Sequence, residues 1–151
     1  MSVGKNAFTK TEPQNHNSEN TWYTPKDFVS SLGEFDLDPC SNSTRPFDIA
    51  KTHIEHDLGQ DGLVVCWKDK RCFINPPYGV LIGPFIKKFI EEKPKGFLLI
   101  FARMGSKEIQ SLIKAGAYFF FLRKRIHFVE KSGAKKNKCG NRFLPSFLAS
   151  R

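Results

Sequence analysis

Midway along the 151-residue chain, the run Asn75-Pro76-Pro77-Tyr78-Gly79 sets an amide, two prolines, an aromatic ring and a glycine directly after a short apolar segment. Two consecutive prolines cannot donate to a sheet ladder and they fix the backbone, so a strand must stop at Asn75 and the residues after it are held stiffly. Asn75 offers a side-chain carbonyl acceptor, and Pro76 a backbone carbonyl whose neighbouring donor is deleted. Two acceptors can thus converge on one exocyclic amine. Tyr78 can lie flat on an aromatic base, a contact worth roughly 1–3 kcal/mol per base in single-strand binding. Gly79 lets the backbone approach closely. An ordinary Pro-Pro turn is the bland reading of the same residues.

A second candidate is Asp38 in the run Asp36-Leu37-Asp38-Pro39-Cys40, a carboxylate placed where an alternating polar and apolar stretch meets a proline. It can meet the polar groups of a ligand, or close an Asx turn at a strand end. Trp22 and Tyr23 read either as core aromatics or as site residues, Trp67 reads as core, and Arg103 either reaches the site face or ends its strand. His53, His56 and His127 carry no role in this reading.

The elements that must hold these groups can be read from periodicity and punctuation. Residues 24–33 predict a short helix with Thr24 as N-cap, Pro25 in the first helical position, Gly33 as the C′ residue and Phe28, Val29 and Leu32 as its buried stripe. Residues 34–40 predict a strand stopping at Pro39 with Asp38 at its carboxyl end, and residues 70–75 a second strand ending at Asn75. Between them, residues 41–62 are polar and irregular and predict an elaborated loop with at most a weak helical turn. Phe85, Ile86, Phe89 and Ile90 have helical spacing over residues 84–93. Residues 96–102 form a nearly continuous apolar run, the mark of a strand covered on both faces. Residues 106–116 predict a helix between a Ser106 N-cap and Gly116. Residues 117–122 and 125–130 predict two closely spaced strands, and residues 145–150 a final edge strand. Strands alternating with helices argue for an α/β fold, a mostly parallel sheet with helices on its faces. In such a sheet ligands bind beyond the carboxyl ends of the strands, where Asp38 and Asn75 both fall.

Composition sets the limits. The length suits one domain, here residues 21–151, after a flexible polar N-terminal arm over residues 1–20. No apolar run approaches the roughly 18 residues of a membrane span, and the first residues lack the apolar core of a signal peptide. The expected location is the cytoplasm, with no membrane partner. Four cysteines form no C-x-x-C pair, so reduced thiols are expected and no metal site. The formal net charge of +9 points to an anionic partner, nucleic acid being the commonest. Basic residues concentrate in residues 123–142, including Arg123, Lys124, Arg125, Lys135, Lys136, Lys138 and Arg142, which suit phosphate contact. A solvated charged loop is the alternative.

The ordered set of Trp22-Tyr23-Thr24-Pro25, Asp36 to Ser41, Asp61-Gly62-Leu63 with Trp67, Asn75 to Gly79, Phe101-Ala102-Arg103 and Arg125 to Phe128 resembles the phage-type DNA N6-adenine methyltransferases of the Dam group, from about Trp22 to about Leu148. The resemblance implies a single-domain, Rossmann-like methyltransferase sheet, reduced in size, with helices on both faces. It implies transfer of a methyl group from S-adenosylmethionine to the exocyclic amine of adenine in DNA, with the base flipped out of the duplex. Asn75, Pro76, Pro77 and Tyr78 would then be catalytic. Tyr23, Thr24, Pro25, Asp38 and Pro39 would bind the cofactor. Arg103, together with the basic residues of the 123–142 segment, would contact DNA. A bacterial host is the expected setting, if the chain is phage- or prophage-encoded. The chain departs from many methyltransferases in lacking a glycine-rich turn after Asp38. Similar tetrads also serve methyltransferases of RNA adenine and of protein glutamine amides, and a non-catalytic nucleic-acid-binding module of the same fold is a further alternative. Recognition sequence and oligomeric state are not legible in these residues.

Overall fold

The computed structural model describes residues 23–77, 79–132 and 146–150. Among them, helix α1 (Lys26–Ser31) precedes strands β1 (Leu37–Ser41) and β2 (Thr52–Glu55), a short 3-10 helix (His56–Leu58) and β3 (Arg71–Ile74). Helix α2 (Ile82–Glu92), β4 (Lys95–Phe101), helix α3 (Lys107–Lys114), β5 (Tyr118–Phe121) and β6 (Ser146–Ser150) complete the order. The strands form one mixed sheet in the order β2-β1-β3-β4-β6-β5. Pairings among β2, β1, β3 and β4 are parallel, whereas β6 runs antiparallel to both of its neighbours, β4 and β5. No helix among the described residues is long and apolar enough to cross a membrane.

Alternation along the central strands divides the core in two. Cys72 and Ile74 of β3 and Leu98 and Ile100 of β4 face a cluster supplied by Phe85, Ile86 and Phe89 of α2 and Ile109 and Leu112 of α3. Phe73 and Leu99 point the other way, to Val29 of α1 and to Phe35. Helices therefore cover both faces, and the apolar run of β4 is buried on each side, as a strand inside a parallel sheet requires. Close approach of β3 to β4 depends on Gly96, which has φ +106° and would set a Cβ 2.1 Å from the Cys72 carbonyl oxygen. Beneath the first face Trp67 is wholly buried, stacks on Phe85 at 5.8 Å and donates from Nε1 to the Gly62 carbonyl at 2.9 Å.

Several expectations need correction. The loop of residues 41–62 contains β2, a short edge strand bonded to β1 on one side. Its four residues carry little apolar contrast, so period-2 reading passes over it. Strand β1 does not stop at Pro39 but continues to Ser41, with its register against β2 shifting between Asp38 and Ser41. A proline is tolerated there because an irregular pairing does not demand its missing N–H. The run of residues 125–130 is not a strand; it joins the fold through an isolated antiparallel bridge between Val129 and Tyr23. β6 is not an edge strand but lies inside the sheet. In α1, Pro25 rather than Thr24 is the N-cap, without a side-chain bond, while Gly33 follows the Leu32 C-cap at φ +101° as expected. The predicted α3 cap is present, Ser106 Oγ accepting from the Ile109 N–H at 3.3 Å. The expected arm, residues 1–20, lies outside the described residues.

Candidate active site

β2 lies on one side of β1 and β3 on the other, so strand order reverses between β1 and β3. A reversal of this kind opens a crevice at the carboxyl ends, since the connections from the two strands leave in opposite directions. Asn75 directly follows β3, and β1 ends at Ser41. Tyr23, Thr24, Asp38, Ser41, Asn42 and Asn75 line a hollow at this point, on the α1 face beside Phe73. Its enclosed part is about 40 Å³ and it opens to solvent. That space takes a group of a few heavy atoms, because one water needs roughly 10–15 Å³ on this measure.

The Asn75 amide is tied across the hollow. Its Nδ2 donates to Thr24 Oγ1 at 3.2 Å, a contact between residues 51 apart in sequence. Thr24 is only 5% exposed, and its neighbour Tyr23 holds it there. The Tyr23 N–H donates to the Val129 carbonyl at 3.0 Å, and the Val129 N–H returns a bond to Tyr23 at 2.9 Å. The Tyr23 hydroxyl lies 2.6 Å from Thr44 Oγ1. Thr44 in turn donates through its N–H at 3.0 Å and its hydroxyl at 2.8 Å to Asn42 Oδ1, an Asx turn that stiffens the rim.

Asp38 is a carboxyl group at 5% exposure. Burial pushes its pKa up to about 6, opposed by bonds from the Cys40 N–H, at 3.0 Å to Oδ1, and from Ser41, and by the charge of Arg45. Burial also drives the Cys40 thiol upward, reinforced by the nearby Asp38 charge and opposed by the Asn75 N–H. Arg45, on the rim, is bonded to Asp48 at 2.8 Å and to Glu55. Behind the rim the His53 side chain accepts at Nε2 from the Ile49 and Ala50 N–H groups at 3.2 and 3.4 Å, and burial together with Arg45 lowers its pKa.

Of the residues singled out in the sequence, Tyr23, Thr24, Asp38 and Asn75 meet in this hollow. Pro25 instead caps α1. Pro39 is buried, with its carbonyl 1.9 Å from where a Cβ on Gly62 would stand, so glycine at position 62 lets that loop cross β1. Pro76 is buried and Pro77 half-buried. Arg103 follows the carboxyl end of β4, and Arg123, Lys124 and Arg125 follow that of β5; all four are exposed and at the same end of the parallel strands as Asn75. Trp22, Tyr78, Lys135, Lys136, Lys138 and Arg142 lie outside the described residues. The rim residues Ser41, Asn42, Arg45, Phe47 and Ile49 were missed by sequence reasoning because they belong to the segment that reads as irregular loop; the Asn42-x-Thr44 spacing of an Asx turn was the available signal. No group of three or more His, Cys, Asp or Glu side chains that could hold a metal occurs among the described residues.

Comparison of the chain with protein-family models, with curated proteins and with solved structures returns no match.

Proposed function

We propose that this protein transfers a methyl group from S-adenosylmethionine to the exocyclic amine of adenine in DNA, using a Rossmann-like sheet reduced in size. The observation that carries the reading is the tethered amide of Asn75, immediately after β3 and beside the buried carboxyl of Asp38, at the reversal of strand order. A strand-end Asn-Pro-Pro run is thereby combined, in one crevice, with a hollow that holds a buried carboxyl.

The residues present fit the cofactor's charged end. A carboxyl group raised by burial is stabilised as a carboxylate by a cation, and the hollow has room for an ammonium-sized group but not for a nucleoside. Asp38 would hold that group, with Ser41 and Asn42 as polar neighbours, and the larger parts of the ligand would extend over the strand ends. When bound, S-adenosylmethionine supplies the electrophilic methyl group.

The chain's own residues prepare the nucleophile. Adenine's amine is weak because its lone pair is delocalised into the ring. The Asn75 side-chain carbonyl and the Pro76 carbonyl accept from its two hydrogens, which favours pyramidal geometry and frees the lone pair. With the cofactor's charged end held at Asp38, the amine nitrogen would take the methyl group as the carbon–sulfur bond yields its electron pair to sulfur, and the excess proton would pass from nitrogen to water. Positioning contributes most in such an in-line displacement. Tyr78, next after Pro77, supplies the aromatic face that offsets part of the few kcal/mol needed to flip the base. Arg103, Arg123, Lys124 and Arg125 approach phosphates at the same end of the sheet.

The test is transfer of labelled methyl from S-adenosylmethionine to adenine-containing DNA, with matched RNA and no-acceptor controls and nucleoside analysis of the product. N6-methyladenine from DNA is expected. Asn75→Ala is expected to lose at least about a hundredfold in turnover, with DNA affinity retained because phosphate contacts supply most of it. Methylated RNA alone would move the acceptor, and no incorporation with no saturable cofactor binding would replace the enzyme reading with a binding module.

A further inference from the structure

We propose that Thr24 is a positioning residue whose hydroxyl tethers the Asn75 side chain, an inference that rests on the methyltransferase reading above. An asparagine side chain turns about two bonds, and unless it is held its amide samples several positions. An amide that must accept from an amine works only where its carbonyl is aimed at that amine. At 3.2 Å from Nδ2, Thr24 Oγ1 takes the NH₂ arm, which sets Oδ1 on the opposite arm.

The hydroxyl suits this duty because it is not spent on the local helix. Sequence spacing marks Thr24 as the cap of α1, yet that helix is capped at Pro25 without a side-chain bond. Thr24 is also fixed from behind. It is 5% exposed, its neighbour Tyr23 is bridged on both sides to Val129, and Pro25 restricts the backbone after it. A fixed partner at this point restricts the swing of the Asn75 side chain before substrate arrives, which is the preorganisation that an in-line transfer needs. The family resemblance gives Thr24 a cofactor contact instead, and the two roles differ in what they change: positioning of Asn75 acts on turnover, whereas a cofactor contact acts on cofactor affinity.

Thr24→Val, which keeps shape and removes the hydroxyl, is compared with Thr24→Ser, which restores it. The expected result is a kcat lowered about 10–100-fold in the valine variant, with KM for S-adenosylmethionine within about twofold of wild type, and most of the loss recovered in the serine variant. An independent reading comes from the side-chain amide resonances of Asn75 in the free protein, identified by their disappearance in Asn75→Asp. These shift in the valine variant and stay near their wild-type positions in the serine variant. Thr24→Ala repeats the comparison should the valine variant fail to fold. A valine variant with wild-type kcat and unmoved resonances overturns the proposal, as does a loss confined to KM for the cofactor or an equal loss with serine and valine. If the wild-type chain transfers no methyl group, the functional reading falls on its own, and the Asn75 resonances still decide whether Thr24 holds the amide.

Discussion

Asp38 is where the chemistry of a single group governs the most. A carboxyl raised to about 6 binds protons more readily when folded than when unfolded, whose ordinary value is near 3.8. The native state therefore loses stability as pH rises from about 4 to about 6, by about 3 kcal/mol in all, and the loss persists above that range. Asp38→Asn is expected to unfold at a higher temperature than wild type at pH 7.5, with the gain shrinking at pH 4.5; a scan showing equal melting of the two proteins at both values would refute the buried-charge account. The same group links pH to ligand. A cationic ligand favours the carboxylate, so S-adenosylmethionine affinity should tighten from pH 5 to pH 7, and titration calorimetry should find that dependence flattened in Asp38→Asn. Under the proposed function, the stability surrendered at this buried carboxylate is the cost of receiving the cofactor's charge.

Among the elements, the β3–β4 pair sets the position of Asn75, because Cys72 lies opposite Gly96 and Ile74 opposite Leu98. A side chain at position 96 would strike the Cys72 carbonyl and adopt a positive φ. Gly96→Ala is thus expected to cost about 2–4 kcal/mol in denaturant unfolding, and to impair methyl transfer even below the midpoint, since displacement of β3 moves Asn75. Unchanged stability would mean that the two strands separate without penalty. These elements were largely legible beforehand. The strand ending at Asn75, the apolar β4 and the capped α3 each carry a strong local signal, either a hydrophobic period or a stop residue. β2 and the bridge at Val129 do not, because their place is decided by partners distant in sequence. The tie between Thr24 and Asn75 was hidden for the same reason: a threonine before a proline reads as a cap, and only the folded chain shows its hydroxyl used elsewhere. The internal place of β6 comes from antiparallel pairing on both sides, which no short-range pattern encodes.

At the scale of the whole molecule, the proposed function puts DNA at one end of the sheet. The net charge of +9 attracts a polyanion, while the strap after β5 carries exposed Arg123, Lys124 and Arg125 back to the bridge with Tyr23 beside the hollow. Replacing these three residues together by alanine should weaken DNA binding in proportion at every sequence and reduce the slope of log affinity against log salt by up to about 3. An unchanged slope would exclude them from phosphate contact.

The insertion of β6 between β4 and β5 also has a consequence in time. Chains are made from the N-terminus at roughly 5–20 residues per second, and β6 comes after β5 and β4 in the chain. Until it emerges, β5 has no neighbour to bond and the apolar β4 shows an open edge, the kind of surface that other chains can pair with. For a few seconds, on the order set by that synthesis rate, the newborn protein is a four-stranded sheet with a bare edge beside an unpaired strand. β6 then pairs with both at once.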